Sequence, residues 1–182
     1  MSARPEVGIV MGSDSDLPVM AEAGAALERF EVAYESVIAS AHRHPEKVVR
    51  YARGAAEAGL KVIIAGAGGA AHLPGVIAAL TVLPVIGVPV STPQLGGLDS
   101  LLAIVQMPRG VPVATVAVNG AYNAGLLAVQ ILALENKDLQ ERLSRYRQEL
   151  AAQVEEKDER LRRLGFHRYK SEILKAGGEK PS

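Results

Sequence analysis

The chain of 182 residues has no cysteine, which excludes disulfides, thiolate nucleophiles and cysteine-based metal sites together. Aromatic residues are scarce at 4% while 48% of the chain is hydrophobic, so Ala, Val, Leu and Ile must build the core. An excess of charge is missing too. Twenty basic residues balance twenty acidic ones, and no net field draws the protein to nucleic acid or to a membrane surface. Long apolar runs are also absent: no window reaches the ~18 uninterrupted apolar residues of a membrane span. The opening stretch MSARPEVGIVMGSDSD holds no apolar segment of signal-peptide length. These absences lead to the expectation of a soluble cytoplasmic protein with one well-buried domain.

What is present is alternation. Short apolar runs at Val7–Met11, Phe30–Ile38, Val62–Ala65, Val85–Val90 and Val111–Val118 read as strands. Helical patterns follow each of them, at Leu17–Arg29, Pro45–Ala58, Pro74–Val82, Leu98–Met107 and Ala121–Leu134. Gly59 stands as the stop of the second helix. Five strand–helix repeats predict a flavodoxin-like, three-layer α/β/α domain over residues 1–136, with a five-stranded parallel sheet in the order 2-1-3-4-5. Residues 137–182 form a charged C-terminal extension within the same unit. Its helix over Asp138–Leu164 carries a stripe of Leu139, Leu143, Tyr146 and Leu150, and Ala176–Ser182 reads as a frayed tail. From Ala124 to Leu134 the fifth helix has one polar side chain, Gln130. A helix apolar nearly all round is buried on more than one side, and a subunit interface is the economical reason.

The unusual residues gather in three turns that this strand order brings to one edge of the sheet. The first turn, Gly12 to Asp16, is rich in side chains that cap helices. The second carries Ser40, His42 and Arg43, with His44 just before Pro45. The third belongs to VIIAGAGGAAHLPG, Val62 to Gly75, in which a glycine-rich turn with Gly66, Gly68 and Gly69 leads to His72, Leu73 and Pro74. Backbone N–H groups at such a turn can meet an anion, although a tight turn with glycines for packing is an equal reading. The run from Gly66 to Ala71 also satisfies the spacing of a dinucleotide fingerprint. No Asp or Glu follows between His72 and Leu98 to hold a ribose, which argues against it. Two histidines without a carboxylate cluster make a poor metal site. Ser13, Ser15 and the helix start behind them, aided by Arg43, can hold a phosphate, leaving Asp16 for ribose hydroxyls. The residues describe a site for a phosphorylated small molecule with one or two histidines for proton work.

MGSDSD, SAHR, AGAGGAAHLPG, GVPV, DSLLAIVQMPRGVPVAT and LLAVQILAL, running in order from Val7 to Leu134, resemble the class I N5-carboxyaminoimidazole ribonucleotide mutases of bacterial purine synthesis. That resemblance implies a homo-octamer acting without metal or organic cofactor on a ribonucleotide. It implies that His42 transfers the proton and that Ser13, Asp16 and Arg43 bind the ribonucleotide. Ser40, the Ala67–Gly68 backbone and His72 would surround the migrating carboxylate, with Gly12, Ser15 and Leu73 completing the substrate contacts. His44 stands where the family more often has Thr, and the charged extension is longer than in many members. Two alternatives remain at this point: an aminoimidazole ribonucleotide carboxylase using free CO₂, and a nucleotide-binding module without turnover.

Overall fold

A computed structural model describes residues 4–177 of the chain. The strands are β1 (Val7–Met11), β2 (Tyr34–Ile38), β3 (Val62–Gly68), β4 (Val85–Val90) and β5 (Ala114–Thr115), all parallel, in the order β2-β1-β3-β4-β5. The helices are α1 (Leu17–Arg29), α2 (Pro45–Gly54), α3 (Leu73–Ala78), α4 (Leu98–Val105), α5 (Ala121–Ala133), α6 (Lys137–Leu164) and α7 (Phe166–Gly177). The flavodoxin-like order therefore stands as expected. The chain divides into two compact units, Met1–Leu139 and Gln140–Ser182. Among the described residues no helix is long and apolar enough to cross a membrane.

β1 and β4 are buried along their whole length, as strands covered on both faces must be, whereas β2 at the edge is half-exposed. Side chains alternate between two helical layers. Val10, Ile63 and Ala65 face α2, α3 and α4, packing with Val48, Ile77 and Ile104. Gly66 lies on the opposite face, where a Cβ would run into the Met20 side chain of α1. α5 packs on α1 and on the sheet, with seven of its residues buried inside this one chain.

Several boundaries differ from the sequence expectation. Phe30 is buried but belongs to the turn that closes α1: its N–H and that of Val32 both donate to the Leu27 carbonyl, with Glu31 at φ +57°. β3 runs on through Gly66, Ala67 and Gly68, so the glycine-rich turn begins only at Gly69, φ +64°. α2 ends its regular stretch at Gly54, and looser turns continue to Gly59, which breaks the chain direction at φ +94°. α3 and α4 are also shorter than their patterns, ending at Ala78 and Val105. β5 keeps two residues of the expected eight. Pro89 of β4 turns its backbone toward β5, since its carbonyl accepts from Asn119 N–H at 2.8 Å. Proline has no N–H to return, and the ladder stops there.

In the second unit, the predicted charged helix is α6. α7 was not foreseen as a separate helix; Gly165, at φ +71°, makes the break before it. Of the predicted tail, Ala176 and Gly177 lie in α7, and 178–182 fall outside the described residues.

Candidate active site

β1 delivers Gly12 to the carboxyl edge of the sheet, and Ser13 then starts a single 3-10 turn, Asp14–Asp16, ahead of α1. The turn is held by a reciprocal cap. Ser13 Oγ accepts from Ser15 N–H at 3.4 Å, and Asp16 Oδ2 accepts from Ser13 N–H at 3.3 Å. Asp16 is only 7% exposed. Burial pushes its carboxyl above the ordinary value, against the opposing pull of the Ser13 and Gly12 backbone and of Arg43.

The neighbouring edge strand β2 delivers Ser40, His42 and Arg43. Ser40 Oγ accepts from Arg43 N–H at 3.2 Å and from Arg43 Nε at 3.3 Å, while Arg43 Nη2 donates to the Gly12 carbonyl at 2.9 Å. One guanidinium thus ties the β1 and β2 exits together. From the β3 exit, His72 stands at the N-cap position of α3, and its side chain, which makes no capping bond, places Nδ1 2.8 Å from Nε2 of His42. The rings meet edge to face, with centroids 4.9 Å apart. One nitrogen of that pair carries a proton and the other accepts it.

These elements enclose a cavity of about 580 Å³. Every residue given a catalytic or substrate-binding role from the sequence lines it except His72, which is exposed and reaches the site through His42; Gly66 and His44 also lie outside this lining. Gly12, Ser13, Ser15 and Asp16 form one wall; Ser40, His42 and Arg43 another; Ala67, Gly68 and Leu73 a third. Three N–H groups of the glycine turn are used internally. The N–H groups of Gly69, Ala71 and His72 donate within the protein, to Ser100 Oγ, the Gly69 carbonyl and the Ala70 carbonyl.

A fourth wall was missed by sequence reasoning: the loop Ser91, Thr92, Pro93 and Gln94 at the exit of β4. The signal available was the strand order, because β4 lies beside β3 and its exit must open at the same edge. The loop is braced from two sides. Asn119, at φ +58°, accepts from Ser91 N–H at 2.9 Å and donates to Ser91 Oγ at 3.0 Å, and Thr92 Oγ1 donates to Asp99 at 3.2 Å. Ser100 was missed as well. Fully buried, its hydroxyl accepts from Gly69 N–H and donates to the Val90 carbonyl, both at 2.8 Å, joining the third wall to the fourth.

A doubly wound parallel sheet with a polar cavity at its switch point defines a small-molecule α/β domain of flavodoxin type. The chain belongs to the AIR carboxylase family, whose model matches residues 6–153. It is 60% identical over 171 residues to the N5-carboxyaminoimidazole ribonucleotide mutase of Pyrococcus horikoshii, covering 94% of this chain and 97% of that protein. With the mutase of the same name from Mycobacterium tuberculosis it shares 62% identity over 161 residues, 88% of this chain and 92% of the relative. Among solved structures, Treponema denticola PurE superposes with a TM-score of 0.79 at 30% identity, over 87% of this chain and 99% of that one.

Proposed function

We propose that the chain is a mutase of purine (IMP) biosynthesis, interconverting N5-carboxyaminoimidazole ribonucleotide and 4-carboxy-5-aminoimidazole ribonucleotide. The observation that carries this reading is the His42–His72 pair, 2.8 Å apart, at a cavity whose other walls hold Ser13, Asp16, Ser40 and Arg43. Ser13, Ser15 and Arg43 take the charged end of the ribonucleotide, Asp16 the ribose, and His42 faces the ring.

The reaction needs one proton delivered and one removed. His42 as imidazolium gives its proton to the exocyclic nitrogen. The N–C bond breaks with its electron pair left on nitrogen, and CO₂ is freed. The electron-rich ring carbon attacks that CO₂, forming the C–C bond, and now-neutral His42 takes the proton from the same carbon. The residue ends as it began, and no electron is gained or lost overall; the reading carries no cofactor or metal, as the resemblance to the mutases implies. CO₂ has to stay beside the ring between the two steps. The walls from Gly68, Leu73 and the β4 exit loop suit that confinement, because water in the same space would let it escape.

The assembly we propose is a homo-octamer in the cytoplasm. Its support is apolar surface left over by the first unit: Leu95 in the loop before α4, Leu98, Leu102 and Val105 along α4, and Leu134 after α5 are between 46% and 78% exposed.

The test is interconversion of the two carboxylated ribonucleotides by wild type and His42→Asn. Asn keeps a hydrogen-bonding head but cannot shuttle a proton near neutrality. Turnover in the variant is expected to fall at least ~10⁴-fold, at or past the upper end for a general acid–base group, because one residue serves both transfers. Ligand affinity should largely survive. Near-normal turnover overturns the role of His42. Incorporation of labelled free CO₂ at the rate of turnover assigns direct carboxylation in its place, and ribonucleotide binding without turnover by wild type assigns a binding module.

A further inference from the structure

The β3–β4 ladder ends at the pair Gly68 and Val90, both of which line the main cavity. Beyond that pair the strands stop. Gly69 turns off toward α3 at φ +64°, and Ser91 enters the exit loop of β4. The next rung is supplied by a side chain. Ser100 Oγ accepts from Gly69 N–H and donates to the Val90 carbonyl, both at 2.8 Å, so a hydroxyl from α4 spans the gap between the two exits. Ser100 is fully buried and lies behind the cavity lining rather than in it. Its neighbour Asp99 acts on the same seam through the loop. Thr92 Oγ1 donates to Asp99 and stands 3.2 Å from both carboxylate oxygens. Thr92 in turn lies over the strand end, since a Cβ on Gly68 would stand 3.5 Å from its Cγ2. Two consecutive residues in the first turn of α4 therefore hold the third wall of the cavity against the fourth.

We propose that Ser100 is a positioning residue for CO₂ retention: its hydroxyl closes the seam between Gly69 and Val90, with Asp99 bracing the loop, so that recapture of CO₂ outruns its escape. The proposal rests on the mutase reading of the main cavity. A seam with a bare N–H and a bare C=O is a polar gap, and such a gap draws in a water that bonds to both. The serine hydroxyl makes the same two bonds from a fixed place on a helix and leaves no exchangeable molecule behind the wall. Ser100→Ala removes that oxygen and gives the two backbone groups to water. It touches no side chain assigned to the ribonucleotide or to proton transfer, so the reaction should start as before and fail at recapture. A CO₂ molecule that escapes leaves free aminoimidazole ribonucleotide, its ring carbon still bearing its proton.

The experiment is turnover of unlabelled N5-carboxyaminoimidazole ribonucleotide in carbon-labelled bicarbonate buffer, with carbonic anhydrase added to keep labelled CO₂ in equilibrium. Mass spectrometry of the product gives labelled carboxyl per turnover, and free aminoimidazole ribonucleotide is measured beside it, less an enzyme-free control. Wild type should show little of either. In Ser100→Ala, shown to be folded by its melting transition, both should rise roughly tenfold or more per turnover, the factor that follows from one lost buried hydrogen bond. KM should stay within about twofold, because substrate contacts are intact. A merely structural lesion lowers turnover and leaves the label per turnover unchanged. Asp99→Ala, which frees the loop side of the seam, should leak in the same direction, whereas Asp99→Asn keeps an acceptor for Thr92 and should match wild type. Label per turnover as low in folded Ser100→Ala as in wild type overturns the proposal and leaves the mutase reading standing. If Ser100→Ala does not fold, unchanged label per turnover in Asp99→Ala overturns it instead. Label entering wild-type product at the rate of turnover overturns the mutase reading and the proposal together.

Discussion

Asp16 shows how one residue carries both a cost and a use. Its carboxyl is raised by burial, so the folded chain holds that proton more tightly than the unfolded chain does. The group favours folding below the ordinary carboxylate value of 3.8, and that contribution is lost as pH rises through the raised folded value. At neutral pH a buried carboxylate remains, which the Ser13 N–H satisfies only in part. Asp16→Asn keeps the acceptor oxygen and removes the charge. It should raise the melting temperature at neutral pH, with the gain shrinking toward zero once pH falls below 3.8. Substrate affinity should fall at the same time if Asp16 holds the ribose. Thermal unfolding of both proteins across pH checks this, and a variant less stable than wild type at neutral pH contradicts it. Residues of this kind were legible in advance, since Ser13, Asp16, Ser40, His42 and Arg43 all sit at strand ends in turns of distinctive composition. Ser100 was not. It looks like any serine on an amphipathic helix, and its importance comes from two backbone partners 31 and 10 positions away.

At the scale of elements, close approach of α1 and α5 depends on Gly125. A Cβ there would stand 2.6 Å from the Ala26 Cβ and 2.7 Å from the Ala23 carbonyl oxygen. Alanine improves intrinsic helix stability by about 0.8–1 kcal/mol, but overpacking a helix contact typically costs about 1–3 kcal/mol. Because one obstacle is backbone, which cannot rotate away, the packing cost should win. Gly125→Ala is expected to lower unfolding stability by about 1 kcal/mol or more in denaturant titration. Gly54, at the end of α2, is the control: nothing lies within 4 Å of a Cβ there, and Gly54→Ala should be neutral or stabilising. Equal effects at the two positions would refute the packing argument. Most elements were readable from periodicity, β4 to the residue. Of those that differ, the length of β3 and the near-loss of β5 depend on hydrogen bonds to residues remote in the chain, whereas the start of β2 is set by the local turn on the Leu27 carbonyl that closes α1.

For the whole molecule the open question is assembly. α5 was expected to be buried between subunits because it is apolar nearly all round, and much of that surface is instead consumed within the chain by α1 and the sheet. Leu126, Leu127 and Ile131 nonetheless stay half-exposed, and α4 adds Leu98, Leu102 and Val105 at helical spacing. Sedimentation equilibrium at micromolar concentration should therefore give a closed assembly of several copies, eight in the reading above. A stable monomer would contradict it. By itself the sequence determined the alternation of strands and helices, the sheet order and the three turns that carry Ser13, His42 and His72. Those follow from local periodicity, capping and the handedness of crossovers, which a linear chain displays directly. Only the tertiary structure decided that the β4 exit closes the cavity and that Ser100 takes the N–H of Gly69. It alone put Pro89 where its missing N–H ends the sheet. Each of these is a choice of partner across the fold, and a residue's type and spacing do not say which distant backbone or charge it will meet.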